Sequence, residues 1–204
     1  NLQGAKGVET PGIQMSVEEA ISAVRDGKAL GASEATAYRA CAARANFLGM
    51  DRPDIQFASK GAAQFMSNPT SAGWRRLRRI RRYLIGHGSM VPLFPFEGKA
   101  KVIVGDGDSD WAGDKKTRKS TSGGVIRIGN HFIKAWSKNQ SVIALSSAEA
   151  ELYGIMKTAS ETLGIISILW DGNIRMGADL LADASAAIGI IGRSGLGKLR
   201  PVSY

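Results

Sequence analysis

Three carboxylates in the second half of the chain are placed so that they could do chemistry together. Asp108 lies in V-G-D-G-D-S-D-W-A-G-D, Glu151 in A-L-S-S-A-E-A-E-L-Y, and Asp183 in L-L-A-D-A-S-A-A-I-G-I. Clustered carboxylates repel one another unless a cation neutralises them, and a site made only of oxygen ligands favours Mg²⁺ or Mn²⁺ over zinc. The pattern therefore predicts a divalent-metal site, although the spacing alone also allows three exposed loop or helix-cap residues.

The elements that would position these acids follow from hydrophobic periodicity, which changes from helical to alternating after Gly88. Strands are predicted at Val91–Phe96, Lys101–Gly105, Gly123–Ile128, His131–Trp136 and Ala178–Ala182, with a two-residue hairpin turn at Gly129-Asn130. Helices are predicted at Ser146–Trp170, capped by Ser146 or Ser147, and at Ser185–Ile191. This order predicts an α/β fold in which three antiparallel strands, a helix, a strand and a helix build one mixed sheet.

The first half of the chain is predicted to be helical. Residues 1–32 are glycine-rich and are interpreted as a tail or linker, and residues 33–88 hold three helices. The first helix follows an N-cap at Ser33, the second begins at Pro53, and the third ends near Leu84. The predicted domains are therefore a tail at 1–32, a small all-helical segment at 33–88, and the mixed-sheet domain at 89–204.

Positive charge is concentrated in the third helix. The chain carries 27 basic and 18 acidic residues, a net charge of +9. Six arginines share this one helix: Arg75, Arg76, Arg78, Arg79, Arg81 and Arg82. Such a cluster predicts binding to a phosphate backbone, which would be strong at low salt and independent of sequence. A solvated helix face or a contact with an acidic protein remains the alternative.

Composition limits the classes of protein to which the chain can belong. No apolar stretch approaches the roughly 18 to 20 residues that a membrane span needs. The only cysteine, Cys41, excludes an intramolecular disulfide and a cysteine zinc site, and favours a reducing, intracellular compartment. Because the sequence begins at Asn1 without a methionine or a signal pattern, we expect it to be part of a longer protein.

Four motifs in order resemble the ribonuclease H domain of Ty1/copia-type retrotransposon polyproteins. They are D-S-D-W-A-G-D at 108–114, R-K-S-T-S-G-G at 118–124, W-S-K-N-Q at 136–140 and L-S-S-A-E-A-E at 145–151. Residues 38–39, 46–48, 51–55, 65–69 and 81–86 are similar to the end of the reverse transcriptase in the same polyproteins, and residues 6–12 resemble the stretch that precedes it. The resemblance implies a ribonuclease H-like fold and cleavage of the RNA strand of RNA–DNA hybrids.

The resemblance also implies roles for single residues. It makes Asp108, Glu151 and Asp183 the metal ligands of a Mg²⁺ or Mn²⁺ site. Asp110 and Glu149 lie inside the same motifs and are interpreted as neighbours of the metal ligands, not as ligands. Asp110 shares a strand face with Asp108 and could substitute for it, whereas Glu149 lies on a different side of its helix from Glu151.

The sequence departs from the family at two places. The family continues past the third aspartate to a histidine and a fourth carboxylate, whereas residues 195–200 are followed here by Pro201-Val202-Ser203-Tyr204. Where the family has tyrosine-serine before the first aspartate, this chain has Asp106-Gly107, which adds a negative charge beside the site. We therefore expect impaired hydrolysis. The alternative is a non-catalytic, host-adopted remnant that acts as an RNA-binding or structural subunit beside other proteins.

Overall fold

The computed structural model describes residues 5–12, 18, 22, 27–115, 117–183, 189 and 191–192. The chain divides into two compact units, Asn1–Leu93 and Phe94–Tyr204, called here the helical unit and the sheet unit. Among the described helices, none is both long enough and apolar enough to cross a membrane.

The helical unit is built from α1 (Ala32–Leu48), α2 (Pro53–Ala63) and α3 (Ser71–Gly86). Its core consists of buried side chains from all three helices: Tyr38, Ala42, Ile55, Ala62, Leu77, Ile80 and Tyr83. The buried Tyr38 hydroxyl donates to the Ala62 carbonyl at 2.6 Å and so joins α1 to α2. The predicted N-cap at Ser33 is wrong: α1 begins at Ala32, and the Gly31 carbonyl accepts the first helical hydrogen bond, from the Ala35 amide at 2.8 Å.

An ion pair between the buried Arg52 and the partly buried Asp54 fixes the start of α2. Arg52, only 7% exposed, donates from Nε and Nη2 to the two carboxylate oxygens of Asp54 at 2.9 and 2.7 Å. The same guanidinium donates to the His87 carbonyl at 2.9 Å, and the Tyr83 hydroxyl donates to Asp54 at 2.9 Å. The network therefore joins the first turn of α2 to the last turn of α3 and the residue that follows it.

The sheet unit contains a four-stranded sheet of order β3-β2-β1-β4. Its elements, in chain order, are β1 (Val102–Asp110), β2 (Thr121–Ile128), β3 (His131–Asn139), α4 (Ser147–Asp171) and β4 (Gly177–Leu181). The first three strands are antiparallel and β4 is parallel to β1. This confirms the predicted ribonuclease H-like mixed sheet, while the predicted helix Ser185–Ile191 lies largely outside the described residues.

Two strand predictions differ from the structure by more than three residues. The predicted strand Val91–Phe96 is wrong, because residues 91–96 form neither a strand nor a helix, and Val91 and Phe96 are exposed to solvent. Pro92 and Pro95 lack the amide hydrogen that a strand donates to its neighbour. The alternating apolar residues therefore do not lead to strand pairing here. The strand predicted at Lys101–Gly105 instead runs from Val102 to Asp110.

Candidate metal centre

The structure brings the three predicted carboxylates together. Asp108, Glu151 and Asp183 each offer one oxygen, and these oxygens lie within 4.8 Å of one another. The topology explains the convergence: Asp108 lies on β1, Asp183 follows β4, and β4 runs parallel to β1. Glu151, in the second turn of α4, completes the group. Because β1 and β4 point the same way, both aspartates reach one edge of the sheet.

The start of α4 is held firmly, which fixes the position of Glu151. The Ser146 hydroxyl accepts a hydrogen bond from the Glu149 amide at 3.2 Å, and the Glu149 carboxylate accepts one from the Leu145 amide at 2.8 Å. This reciprocal pair satisfies donors that a helix start otherwise leaves free. The capping role that was predicted for Ser146 is confirmed. Glu149 therefore contributes to the helix cap and not to the carboxylate group.

Gln140 contributes to this placement, and the sequence reasoning did not identify its role. Its buried side-chain amide donates to the Ser122 hydroxyl at 3.0 Å and to the Ala150 carbonyl at 2.9 Å. It thereby links β2 to α4 at the residue before Glu151. The only sequence signal was its place at the end of the W-S-K-N-Q motif.

Glycines allow α4 to approach β1 closely. A Cβ added at Gly107 would lie 2.1 Å from Thr158 Oγ1, and one added at Gly154 would lie 3.4 Å from the Asp108 carbonyl oxygen. The first distance leaves no room for a side chain, and the second is close to van der Waals contact. The short separation between helix and strand is what brings Glu151 next to Asp108.

The electrostatics of the group favour a bound cation. Burial raises the pKa of Glu151, the charges of Asp108 and Asp183 act in the same direction, and Ser109 partly opposes them. Glu151 Oε2 is buried without a hydrogen-bond partner. Within the described part of the chain no lysine or arginine forms an ion pair with any of the three acids. A cation would supply the missing partner.

The two nearby aspartates on β1 are used elsewhere. Asp110, which the sequence allowed as a substitute for Asp108, accepts a hydrogen bond from the Thr121 amide and packs against Gly113. Asp106, expected to add negative charge beside the site, forms a half-exposed ion pair with Arg127 at 2.7 Å. Neither belongs to the group of three carboxylates.

The size of the group matches a single oxygen-coordinated ion. Oxygen ligands lie about 2.0–2.6 Å from Mg²⁺ or Ca²⁺, so two ligands of one ion are at most ~4–5 Å apart. The observed limit of 4.8 Å falls in this range. Asp108 is preorganised, since one of its carboxylate oxygens already accepts a hydrogen bond from the Ser109 amide at 2.7 Å. The acidic group could therefore hold a divalent metal ion after small side-chain movements.

The six arginines predicted to bind nucleic acid all lie on α3 but differ in their surroundings. Arg75, Arg78 and Arg81 are exposed. Arg76, Arg79 and Arg82 are partly buried and donate hydrogen bonds to backbone carbonyls of the helical unit. The cluster thus consists of an outer row and an inner row.

Comparison with known proteins gives the ancestry of the chain. It is 37% identical over 147 residues to the "Retrovirus-related Pol polyprotein from transposon RE1" of Arabidopsis thaliana, which covers 71% of the chain and 10% of that protein. It is 35% identical over 144 residues to the corresponding polyprotein from transposon RE2 of the same plant, covering 69% of the chain and 10% of that protein. The chain thus spans about a tenth of the length of these polyproteins.

A third relative is shorter. The chain is 37% identical over 112 residues to "Secreted RxLR effector protein 161" of Plasmopara viticola, covering 55% of the chain and 78% of that protein. No family model matches the chain. No solved structure matches it either. The transposon matches, together with the four ordered motifs, show that the chain belongs to the retrovirus-related Pol polyproteins of copia-type transposons.

Proposed function

We propose that the sheet unit hydrolyses the RNA strand of RNA–DNA hybrids with the help of a divalent ion held by Asp108, Glu151 and Asp183. The observation that carries the proposal is the convergence of these three carboxylates, within 4.8 Å, at one edge of a ribonuclease H-like sheet. Membership of the Pol family supports a substrate made of nucleic acid. On this proposal, residues 33–88 form the end of a reverse transcriptase and residues 89–204 form the ribonuclease H domain.

The ligand set favours Mg²⁺ or Mn²⁺, because all its donors are carboxylate oxygens. A divalent ion bound there would neutralise charge on the scissile phosphate and promote ionisation of the attacking water. The protein supplies the preorganisation: the Ser109 amide orients Asp108, and Gln140 and the Ser146 cap hold the helix turn that carries Glu151. Little rearrangement is then required when the ion and the substrate bind.

We further propose that hydrolysis is slow. Ribonuclease H chemistry of the two-ion type needs enough negative charge to hold both ions, and the described residues bring three carboxylates to the site. One ion would be held by all three acids and the second only weakly. Activity should therefore require high concentrations of metal, and should be greater with Mn²⁺ than with Mg²⁺.

A cleavage assay on the full chain tests the proposal. An RNA strand labelled at one end is annealed to DNA and incubated with millimolar Mg²⁺ or Mn²⁺. Wild type should release shortened RNA. Asp108→Asn should reduce the rate by on the order of 10²-fold or more, because losing a ligand should cost at least as much as the ~10–100-fold lost with a partner of a ligand. Asp179→Asn is the matched control, because Asp179 is an exposed aspartate on β4 outside the carboxylate group.

Two results would contradict the proposal. Equal cleavage by wild type and Asp108→Asn would assign the nuclease activity to a contaminant or another site. Binding of Mn²⁺ by wild type without cleavage in either metal would reject the hydrolase. That second result would favour the non-catalytic reading, an RNA-binding or structural subunit.

A further inference from the structure

An apolar stretch with two prolines lies where the helical unit ends and the sheet unit begins. It is V-P-L-F-P-F at residues 91–96, called here the PxxP segment after Pro92 and Pro95. All six residues are exposed, and they form neither a helix nor a strand. Leu93 is 80% exposed and Phe96 is fully exposed. Contiguous exposed apolar surface on a folded protein is typical of a binding site.

Hydrogen bonds hold the chain near both ends of the PxxP segment. Before it, the Gly88 carbonyl accepts a hydrogen bond from Arg52 Nη1 at 3.3 Å. Near its far end, the Pro95 carbonyl accepts one from His131 Nε2 at 2.7 Å. A partner that binds the segment therefore has few additional residues to order, which lowers the entropic cost of binding.

The two prolines exclude strand pairing as the mode of recognition. A peptide that adds a strand to a sheet donates the amides of alternate residues to that sheet. Pro92 and Pro95 are three positions apart, so one proline falls on each edge of such a strand. Whichever edge faced a partner sheet would therefore lack an amide hydrogen.

The sequence of the segment also argues against three other modes of binding. In a helix through residues 91–96, Pro95 would lack its hydrogen bond and clash with the preceding turn. Recognition by charge has no basis, because residues 83–96 contain no aspartate, glutamate, lysine or arginine. Insertion into a lipid bilayer would leave the amides and carbonyls of a non-helical backbone without partners in the hydrocarbon.

Polyproline II is the conformation that the sequence of the segment favours. The ring of each proline fixes φ at about −65°. Val91 and Phe94 each precede a proline, which restricts them to extended or polyproline II backbone. A polyproline II helix has about three residues per turn, so Pro92 and Pro95 share one face and Val91 and Phe94 share a second. The segment is therefore restricted towards this helix before any partner binds.

We propose that the PxxP segment is a docking motif for a protein domain whose aromatic-lined groove binds polyproline II, as SH3, WW and EVH1 domains do. The apolar–proline pairs Val91-Pro92 and Phe94-Pro95 fill successive sites of the groove, one turn or about 9 Å apart. The third face of the helix, with Leu93 and Phe96, points away from the groove. The segment contains no residue of the metal centre, so docking is independent of hydrolysis.

Calorimetric titration of the full chain into purified SH3, WW and EVH1 domains, in EDTA, tests the proposal. The proline variant, Pro92→Ala/Pro95→Ala, keeps every large apolar side chain of the segment and the carbonyl at position 95 that His131 contacts. The matched control, Leu93→Ser/Phe96→Ser, keeps both prolines and removes two highly exposed apolar side chains. Thermal unfolding verifies that both variants are folded.

Wild type should bind at least one of these domains, and that domain's own PxxP peptide should displace it. The proline variant should bind on the order of tenfold more weakly, because the two prolines no longer restrict the unbound segment. The control should bind like wild type, since the side chains that it lacks face away from the groove.

Several results would overturn the proposal. No binding to any of the domains, or binding that the PxxP peptide does not displace, would reject the docking motif. A proline variant that binds like wild type would reject recognition of polyproline II. A control that loses as much affinity as the proline variant would reduce the binding to nonspecific apolar contact. Binding of wild type to phosphatidylcholine vesicles but to no domain would assign the segment to a lipid surface.

Discussion

Replacing Gly107 with alanine tests the close approach of α4 to β1. The new Cβ would lie 2.1 Å from Thr158 Oγ1 and 3.1 Å from Thr158 Cβ. The Thr158 hydroxyl is fixed by its own hydrogen bond to the Gly154 carbonyl at 3.0 Å, so it cannot turn away freely. Overpacking of this kind costs about 1–3 kcal/mol. At about 4 °C per kcal/mol for a unit of this size, Tm should fall by roughly 4–12 °C.

The assay is thermal unfolding followed by circular dichroism in EDTA. Gly123→Ala is the matched control, because a Cβ on this neighbouring strand meets nothing closer than 3.8 Å. Thr158→Ala combined with Gly107→Ala removes the clashing hydroxyl and should recover part of the loss. A Gly107→Ala protein as stable as wild type would refute the reasoning, and so would a double variant no more stable than the Gly107→Ala variant alone.

Two further predictions concern the partly buried carboxylates of Asp54 and Glu151. Asp54→Asn should lower the stability of the helical unit by about 3 kcal/mol at pH 7, because the buried Arg52 guanidinium loses its charged partner. The Arg52 hydrogen bonds hold the pKa of Asp54 below its ordinary 3.8, so this stabilisation is present above that value and disappears as the pH falls through the folded-state pKa. Urea unfolding between pH 2 and 7 measures both effects. Glu151→Gln should raise Tm in EDTA at pH 7, because burial raises the pKa of Glu151 and its charged form opposes folding. The same variant should abolish stabilisation by Mn²⁺, because one of the three carboxylates is lost.

The signs of these predictions can be checked against controls. Burial holds the folded-state pKa of Glu151 above the ordinary 4.5. Its contribution to the free energy of unfolding is therefore complete below pH 4.5 and is lost as the pH rises through the folded-state pKa. Asp51→Asn and Asp179→Asn change exposed aspartates and should leave Tm close to wild type. A Glu151→Gln protein less stable than wild type in EDTA would contradict the account, as would an Asp54→Asn protein with the acid sensitivity of wild type.

Local patterns predicted much of the sheet unit. Alternating apolar residues and Gly129-Asn130 predicted the β2–β3 hairpin, in which Gly129 has a φ of +61° that glycine adopts easily. The motif order led to the three carboxylates. The same pattern gave a wrong strand prediction at Val91–Phe96, because alternating apolar residues say nothing about the amide hydrogens that Pro92 and Pro95 lack.

The contacts that the sequence could not predict are long-range. Whether an arginine of α3 faces solvent or a carbonyl depends on residues 6–12, which lie about seventy positions earlier. The pairing of Asp106 with Arg127 depends on the register between β1 and β2. The role of Gln140 depends on the place where α4 begins relative to β2. Such contacts follow from tertiary packing and leave no periodic signal in the sequence.

Binding of Mn²⁺ followed by electron paramagnetic resonance tests the central claim, that Asp108, Glu151 and Asp183 together hold a divalent ion. Wild type and Asp179→Asn should bind about one ion tightly. Asp183→Asn should weaken that binding by about 10-fold or more, because losing a ligand should cost at least as much as losing a partner of a ligand. Mg²⁺ should compete for the same site. Binding of Mn²⁺ to Asp183→Asn with the affinity of wild type, or no binding to wild type at millimolar Mn²⁺, would contradict the account.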